Sequence, residues 1–411
     1  MKFKALDCPA NRLYKSFEEM NLPPALVGIL LKKEILIPTD VQSQAIPVIL
    51  AGNDVVAVAQ TGTGKTLAFV LTTLILLKKK KAARALVLAP SREMAQQIFQ
   101  VFNDFQLQFE IDSCLVIGGI PTALQISQLK KNPRIIIATP GRLNDHLINN
   151  KLLLKNVEII VIDEADRLID LGFAPQLKNI QKTMRGEKQT LLFTASFKPE
   201  LEKIAESYMK KEIILIRTVN SETPVDTLAQ TILFIERKYK DQALIQKISE
   251  VSGAVIIFTG SQDSCERVND FLNSRGCNSE LIHGGLNQGH RRRIIRELRE
   301  DLKKIVVTTD LLARGLDVPH VTCIINYDLP FLPEDFIHRI GRTARAGKAG
   351  EAITFITPSD SKMYEQIKPY LVGATKIEDA INLRTQPEDV KEIANLRASA
   401  KVRKDKYKKK E

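Results

Sequence analysis

No C-x-x-C pair occurs among the five cysteines (Cys8, Cys114, Cys265, Cys277 and Cys323), and the five histidines are scattered along the chain. That pattern excludes a disulfide framework and a structural zinc site, and it predicts a reducing, cytoplasmic location. No uncharged apolar stretch approaches the roughly 20 residues of a membrane span, which predicts no membrane partner. The opening MKFKALDCPANRL lacks an apolar core of the about 7–15 residues that a secretory signal uses. Tryptophan is absent and aromatic residues are sparse. What the chain has in quantity is apolar and charged residues, 44% and 26%, values that permit sizeable cores and argue against general disorder. A formal net charge of +12 predicts attraction to polyanions without saying which.

The length of 411 residues exceeds one ordinary domain of roughly 100–200 residues and predicts two lobes of similar size. Short Val/Ile/Leu-rich runs recur at Asp54–Ala59, Ala85–Ala89, Ile135–Thr139, Glu158–Asp163, Thr190–Thr194 and Ile213–Ile216. Continuous rather than alternating hydrophobicity reads as strands buried on both faces. Stretches of helical length between them, such as Ser91–Phe105, Thr122–Lys131 and the apolar Leu67–Leu77, give a doubly wound α/β lobe over 1–217. A polar, proline-containing segment, 218–228, reads as a linker. The pattern restarts at Thr231–Ile235, Ala254–Thr259, Lys304–Thr309, Thr322–Tyr327 and Ala352–Thr357, giving a second α/β lobe over 229–371. The remainder, 372–411, is expected to be an extension whose end, residues 401–411, holds seven Lys/Arg against two Asp/Glu. Such a tail is either solvated and flexible or an arm that holds RNA, and the two readings are compatible.

The run ending at Ala59 leads directly into Gln60-Thr61-Gly62-Thr63-Gly64-Lys65-Thr66 and then an apolar helix, the strand-loop-helix setting of a P-loop. Glycines at Gly62 and Gly64 let backbone N–H groups of the Thr61–Thr66 loop approach a triphosphate, Lys65 reaches the β/γ oxygens, and the Thr66 hydroxyl is placed to ligate Mg²⁺. A second phosphate element is expected at the end of another parallel strand, and Ile159-Ile160-Val161-Ile162-Asp163-Glu164 supplies it. Asp163 would hold Mg²⁺ partly through its water shell. Glu164 would orient and deprotonate the attacking water. An isolated Asp-Glu pair often only caps a helix, but here it accompanies Lys65.

Asp163-Glu164-Ala165-Asp166 spells DEAD, and over about residues 17–360 the chain resembles the DEAD-box RNA helicases. Further blocks in order carry the resemblance. Phe17, Ile35 and Pro38-Thr39-x-x-Gln42 look like the adenine-reading segment. Pro90-Ser91-Arg92-Glu93, Gly118-Gly119 and Thr139-Pro140-Gly141-Arg142 look like RNA-contact loops. The second lobe adds His283-Gly284 with Gln288 and Arg291, then Thr309-Asp310 leading to Arg314-Gly315-Leu316-Asp317, and finally His338-Arg339-Ile340-Gly341-Arg342-Thr343-Ala344-Arg345. The resemblance implies two tandem RecA-like domains, ATP and Mg²⁺ as cofactors, and RNA-stimulated ATP hydrolysis by a monomeric core acting on single-stranded or duplex RNA, with protein partners unspecified.

Within that resemblance each block has a physical reading. The Gln42 amide presents donor and acceptor together, which suits the N6/N7 edge of adenine. Arg92 and Arg142 can make charge-assisted phosphate contacts, backbone amides at Gly118, Gly119 and Gly141 let the same chain approach, and by analogy Thr139, Gln288, Arg291 and Thr309 would add RNA contacts, so recognition is expected to be largely independent of sequence. Arg342 and Arg345 are expected to share one helix face and act as arginine fingers, where an unaccompanied R-x-x-R would be only a basic helix face. Asp317 is either a ribose contact or a turn residue. His146, His290 and His320 have no partner pattern.

Three positions depart from the family. Ile35 replaces an aromatic, which loses a ring contact worth on the order of 1 kcal/mol. Thr194-Ala195-Ser196 stands where the family reads Ser-Ala-Thr, a coupling segment, and since both hydroxyls survive, coupling is expected to be retained. Ala344 replaces a glycine, a change expected to suit a helix. The mechanism implied is cooperative closure of two half-sites, and its rivals are a static RNA clamp and a DNA translocase.

Overall fold

Strands that are apolar without alternation need cover on both faces, and each half of this chain supplies it with helices. The computed structural model describes residues 2–5, 14–60, 62–150, 153–184, 186–209, 212–218, 228–300, 304–310, 321–344, 349–371 and 375–379. The chain divides between Ser221 and Glu222 into two units, inside the segment 218–228.

The first unit runs β1 (Lys2–Ala5), α1 (Pro24–Lys32), α2 (Asp40–Leu50), β2 (Val55–Val58), α3 (Lys65–Lys79), β3 (Arg84–Leu88), α4 (Arg92–Gln106), β4 (Ser113–Val116), α5 (Thr122–Lys130), β5 (Ile135–Ala138), α6 (Pro140–Asn149), β6 (Val157–Ile162), α7 (Ala165–Asp170), α8 (Ala174–Thr183), β7 (Gln189–Thr194), α9 (Pro199–Tyr208) and β8 (Glu212–Arg217). Its eight strands form one sheet in the order β1-β8-β2-β7-β6-β3-β5-β4, every pairing parallel. β2, β3 and β5 are buried at every position, which explains their unbroken apolar text. α3 is apolar nearly all round and is buried through most of its length, as a helix hydrophobic on every side must be. It is anchored to the sheet by Phe69 against Phe193, ring centroids 5.3 Å apart.

The second unit runs β9 (Leu228–Phe234), α10 (Lys240–Glu250), β10 (Ala254–Thr259), α11 (Gln262–Ser274), β11 (Glu280–Ile282), α12 (Gln288–Arg299), β12 (Ile305–Thr309), β13 (Val321–Asn326), helix Pro333–Ile340, β14 (Gly350–Ile356), helix Ser361–Ile367 and β15 (Thr375–Asp379). Its sheet order is β11-β12-β10-β13-β14-β9-β15, again parallel throughout. Two tandem doubly wound parallel sheets are therefore the architecture.

Sequence pattern overlooked the sheet edges. β4 alternates half-buried and buried positions, and β11 is three residues long, so neither carries a continuous run. β15 pairs with β9 and puts a strand of the sheet inside 372–411, the segment expected to be only an extension. The basic end, 401–411, lies outside the described residues. Among the described residues no helix is long and apolar enough to cross a membrane.

Candidate functional site

A parallel sheet gathers the carboxyl ends of all its strands on one edge, and open α/β sheets bind ligands there. β2 delivers the P-loop to that edge and β6 delivers Asp163, while β7, which lies between them, delivers Thr194. The P-loop closes on itself. Gly62 and Gly64 have φ of 85° and 87°, the left-handed region that glycine enters without cost, and Gly64 is the residue before the first turn of α3. Lys65 is buried, and its Nζ donates to the Ala59 carbonyl at 2.6 Å, curling the ammonium over the loop. Thr66 is half-buried in the first turn of α3, and Thr61 lies outside the described residues.

Asp163 is fully buried, and its Oδ1 accepts from the Glu164 N–H at 3.0 Å. Asp163 Oδ2 and Glu164 Oε2 are buried without a hydrogen-bond partner. Burial raises the Asp163 pKa to about 7; the Lys65 charge pulls the other way, and the neighbouring Glu164 adds to the rise. A buried carboxylate oxygen with an unused lone pair is the kind of donor that a hard divalent cation takes, so Asp163 fits an Mg²⁺ site. Glu164 adopts φ 45° and ψ 55°, a left-handed backbone uncommon for a non-glycine residue and a feature of functional turns.

The fourth letter of the motif has a different task. Asp166 Oδ2 accepts from the Ser196 N–H at 3.1 Å and from the Ser196 hydroxyl at 3.2 Å, and Thr194 Oγ1 donates to the Ser196 carbonyl at 2.6 Å. Both hydroxyls of Thr194-Ala195-Ser196 are thus in use, and Ser196 ties the end of β7 to the start of α7.

The segment ahead of the P-loop packs onto it. Gln42 Oε1 accepts from the Thr39 N–H at 3.0 Å while Nε2 donates to the Gly64 carbonyl at 3.0 Å, and Thr39 Oγ1 donates to the Thr63 carbonyl at 2.6 Å. The amide expected to read adenine lies against the P-loop backbone here, so close that a Cβ on Gly64 would collide with it. Phe17 is 2% exposed and shapes this segment by packing in the core. Ile35 is half-buried against the same core.

Three loops from the same edge form a second cluster. The Arg92 guanidinium lies against the Gly118 backbone: a Cβ there would stand 2.6–2.9 Å from its atoms. Gly119 has φ 82°. Thr139 is buried at the start of α6. A Cβ on Gly141 would meet nothing nearer than Phe173 at 3.9 Å, so packing does not demand glycine at that position. Arg142, the expected phosphate contact, is half-buried and bonded to the neighbouring turn. Its Nη2 donates to the Ile120 carbonyl at 2.9 Å and to Thr122 Oγ1 at 2.7 Å, and its Nε to Gln125 Oε1 at 3.2 Å.

In the second unit, Arg291 is buried with Nη2 donating to the Gly284 carbonyl, Gln288 opens α12, and Thr309 is half-buried at the end of β12. Asp317 and Arg345 lie outside the described residues. Two expectations for the last motif need correction. The helix ends at Ile340 with Gly341 as its C-cap, and Arg342 Nε donates back to the His338 carbonyl at 3.0 Å. Arg342 therefore sits in a turn and not on a helix face. Ala344 has φ 53°, so it is left-handed and not helix-compatible. The turn is held there because Thr343 Oγ1 donates to the Val321 carbonyl at 2.8 Å, and a side chain on Gly350 would collide with Thr343 and Ala344. An alanine in this region costs about 1–2 kcal/mol, partly offset in a glycine variant by that residue's greater unfolded entropy. Ala344→Gly is expected to stabilise the second unit by about 0.5–1 kcal/mol, read as a higher urea midpoint; a lower midpoint contradicts the assigned backbone.

Arg339 and Asp310 stand in the quoted motif blocks, yet the sequence assigned neither of them a role. Arg339 is fully buried: it grips Asp310 through Nε and through Nη2 at 2.7 Å, bonds Asn326 Oδ1 at 3.3 Å and the Asp328 carbonyl at 2.5 Å through Nη1, and stacks on Phe258 at 5.0 Å. Asp328 also escaped notice. Although burial favours its neutral form, Lys240 at 2.5 Å, the Gly260 N–H and the Ser264 hydroxyl together hold its pKa below the ordinary carboxylate value. Neither task has a local sequence signal, because the partners come from distant strands.

The DEAD/DEAH box helicase profile matches residues 39–204, and the helicase conserved C-terminal domain profile matches 239–347. The ATP-dependent rRNA helicase RRP3 of Encephalitozoon cuniculi is 39% identical over 355 residues, covering 86% of this chain and 88% of that protein. The ATP-dependent rRNA helicase rrp3 of Aspergillus niger is 38% identical over 357 residues, covering 86% of this chain and 76% of its own. Among solved structures, S. cerevisiae Dbp5 bound to RNA and ADP BeF3 superposes with a TM-score of 0.80 at 30% identity, covering 93% of this chain and 100% of that one. Mss116p bound to ssRNA and AMP-PNP gives 0.85 at 26% identity, covering 95% and 84%.

Proposed function

Because the chain belongs to the DEAD-box ATP-dependent RNA helicases, we propose that it separates short RNA duplexes locally or remodels RNA–protein complexes, that Mg²⁺ accompanies its ATP, and that ribosomal RNA is among its substrates. The observation that carries the chemistry is the pair of buried, unpartnered carboxylate oxygens on Asp163 and Glu164, held in the field of Lys65. Lys65 and the P-loop amides take the phosphates, as a helix N-terminus favours. Asp163 and Thr66 would hold the cation, which neutralises charge that develops on the phosphoryl oxygens. Glu164 draws the proton from the attacking water.

Gripping RNA through backbone contacts gives little sequence preference. Closure of two half-sites, with Arg342 and Arg345 completing the phosphate surroundings, belongs to the same proposal, and so does a cytoplasmic location, which rests on cysteine usage and is checked by fractionation. ATP and RNA affinities must then be linked reciprocally. A nonhydrolysable ATP analogue is expected to tighten binding of a single-stranded oligoribonucleotide by about 5–150-fold, and the RNA to tighten the analogue by the same factor. Equal affinities with and without the analogue would remove the linkage.

The ribosomal assignment rests on the names of the relatives, rRNA helicases at 38–39% identity. Crosslinking to RNA in cells followed by sequencing is expected to concentrate reads on ribosomal RNA precursors. Reads spread over messenger RNA instead would end that part of the proposal and leave the enzymatic reading intact.

A further inference from the structure

α5 lies almost wholly in solvent, and Gln125 is its one buried residue, at 0% exposure. Burying a carboxamide on an otherwise exposed helix is unfavourable unless its polar atoms are all used. Here they are. Gln125 Nε2 donates to the Ile117 carbonyl at 2.7 Å and to the Ile120 carbonyl at 3.3 Å, which flank the Gly118-Gly119 turn. Gln125 Oε1 accepts from Arg142 Nε at 3.2 Å and lies 3.0 Å from His146 Nε2. Arg142 returns to the same turn through Nη2, at the Ile120 carbonyl and Thr122 Oγ1. A single amide thereby joins the Gly118-Gly119 turn to α6, the helix that Thr139-Pro140-Gly141 begins.

His146 completes the arrangement. A carbonyl oxygen accepts only from a protonated nitrogen, so Nε2 must carry the hydrogen. Burial first, and the Arg142 charge second, lower the His146 pKa, and a neutral ring in this tautomer supplies the required donor. The ring is 6% exposed, so it is a fixed support for the amide and not a surface group.

We propose that Gln125, braced by Arg142 and His146, is a positioning residue that sets the spacing between the Gly118-Gly119 turn and the Thr139–Gly141 segment, and so fixes the two backbone strips that receive RNA phosphates. Arg142 then acts on RNA through the turn that it holds. The proposal rests on the RNA-helicase reading above. It differs from a general stabilising role because the bracket touches neither the P-loop nor Asp163, so its loss acts on RNA and not on nucleotide.

The test uses the full chain, with ATP turnover measured against increasing single-stranded oligoribonucleotide. Gln125→Ala is expected to raise the RNA concentration for half-maximal stimulation on the order of tenfold, the effect of losing a buried hydrogen-bond hub. The KM for ATP measured at saturating RNA and the turnover without RNA stay at wild-type values. Gln125→Glu keeps the acceptor but loses the donor to Ile117 and Ile120, and it is expected to show a similar rise. His146→Ala raises half-saturation several-fold, and His146→Asn, which keeps an N–H donor, recovers most of that. Circular dichroism reports folding, as the chain has no tryptophan. Should Gln125→Ala fail to fold, the His146 pair carries the test. Unchanged RNA half-saturation in folded variants overturns the proposal, and a rise in ATP KM that persists at saturating RNA also overturns it. Wild-type turnover indifferent to RNA would overturn the helicase reading itself and this inference with it.

Discussion

Glu164→Gln is expected to slow ATP hydrolysis by about 10²–10⁴-fold, the contribution of a positioned general base, while ATP still binds. Glu164 is 5% exposed, its backbone is fixed in a left-handed turn at the end of β6, and its Oε2 faces no hydrogen-bond donor among the described residues. A carboxylate oxygen so placed has an unused lone pair, which a water molecule can meet with an O–H and so hand over its proton. Glutamine keeps the volume and the left-handed turn but cannot take the proton. Because Lys65 and the P-loop amides are untouched, the nucleotide stays bound, and with it the RNA. Single-turnover phosphate release and equilibrium binding of ATP separate the two effects. Phosphate release at the wild-type rate would remove Glu164 from the role of base, whereas a loss of ATP binding would make it a structural residue.

The second large effect concerns stability. Arg339→Ala is expected to cost the second unit about 3–5 kcal/mol, the usual penalty for breaking a buried ion pair by removing one member. Arg339 joins Asp310 at the end of β12 to Asn326 and the Asp328 carbonyl at the end of β13, so one guanidinium closes three backbone segments. Lysine cannot replace it, because a single ammonium lacks the fork that meets both Asp310 oxygens while reaching Asn326. Arg339→Lys should therefore recover only part of the loss. Asp310→Asn combined with Arg339→Met should do better than Arg339→Ala, since it leaves no buried charge uncompensated. Urea unfolding followed by circular dichroism measures all three. A shift below about 1 kcal/mol for Arg339→Ala would mean that the pair is no stronger than an exposed one.

How far the site could be read from sequence depended on how local its geometry is. The P-loop was legible because strand, glycines, lysine and helix are contiguous, and the positive φ at Gly62 and Gly64 is a property that glycine itself confers. Asp163 and Glu164 were legible because an apolar run ending in two acids, in a chain that also carries a P-loop, points to the carboxyl edge of a parallel sheet. The helix expected through Arg342 was misread for the opposite reason. Residue spacing favours a continuous helix, yet the hydrogen bonds of Thr343 to β13 and the close approach of Gly350 stop it at Ile340. Gln125 was invisible for a related reason: its neighbours in sequence are exposed, and only Arg142 and His146, 17 and 21 residues away, make it a hub.

By itself, then, the amino-acid order determined the two α/β lobes, the phosphate loop, the acidic pair and the family, since these follow from short-range periodicity and from backbone freedoms written residue by residue. Tertiary structure alone decided what each polar side chain bonds to. Gln42 lies on the Gly64 carbonyl, Arg142 on the Ile120 carbonyl, Asp166 on Ser196 and Arg339 on Asp310. The physical reason is that a buried donor must find an acceptor wherever the fold brings one within about 3 Å, and that distance is set by packing between elements far apart in the chain.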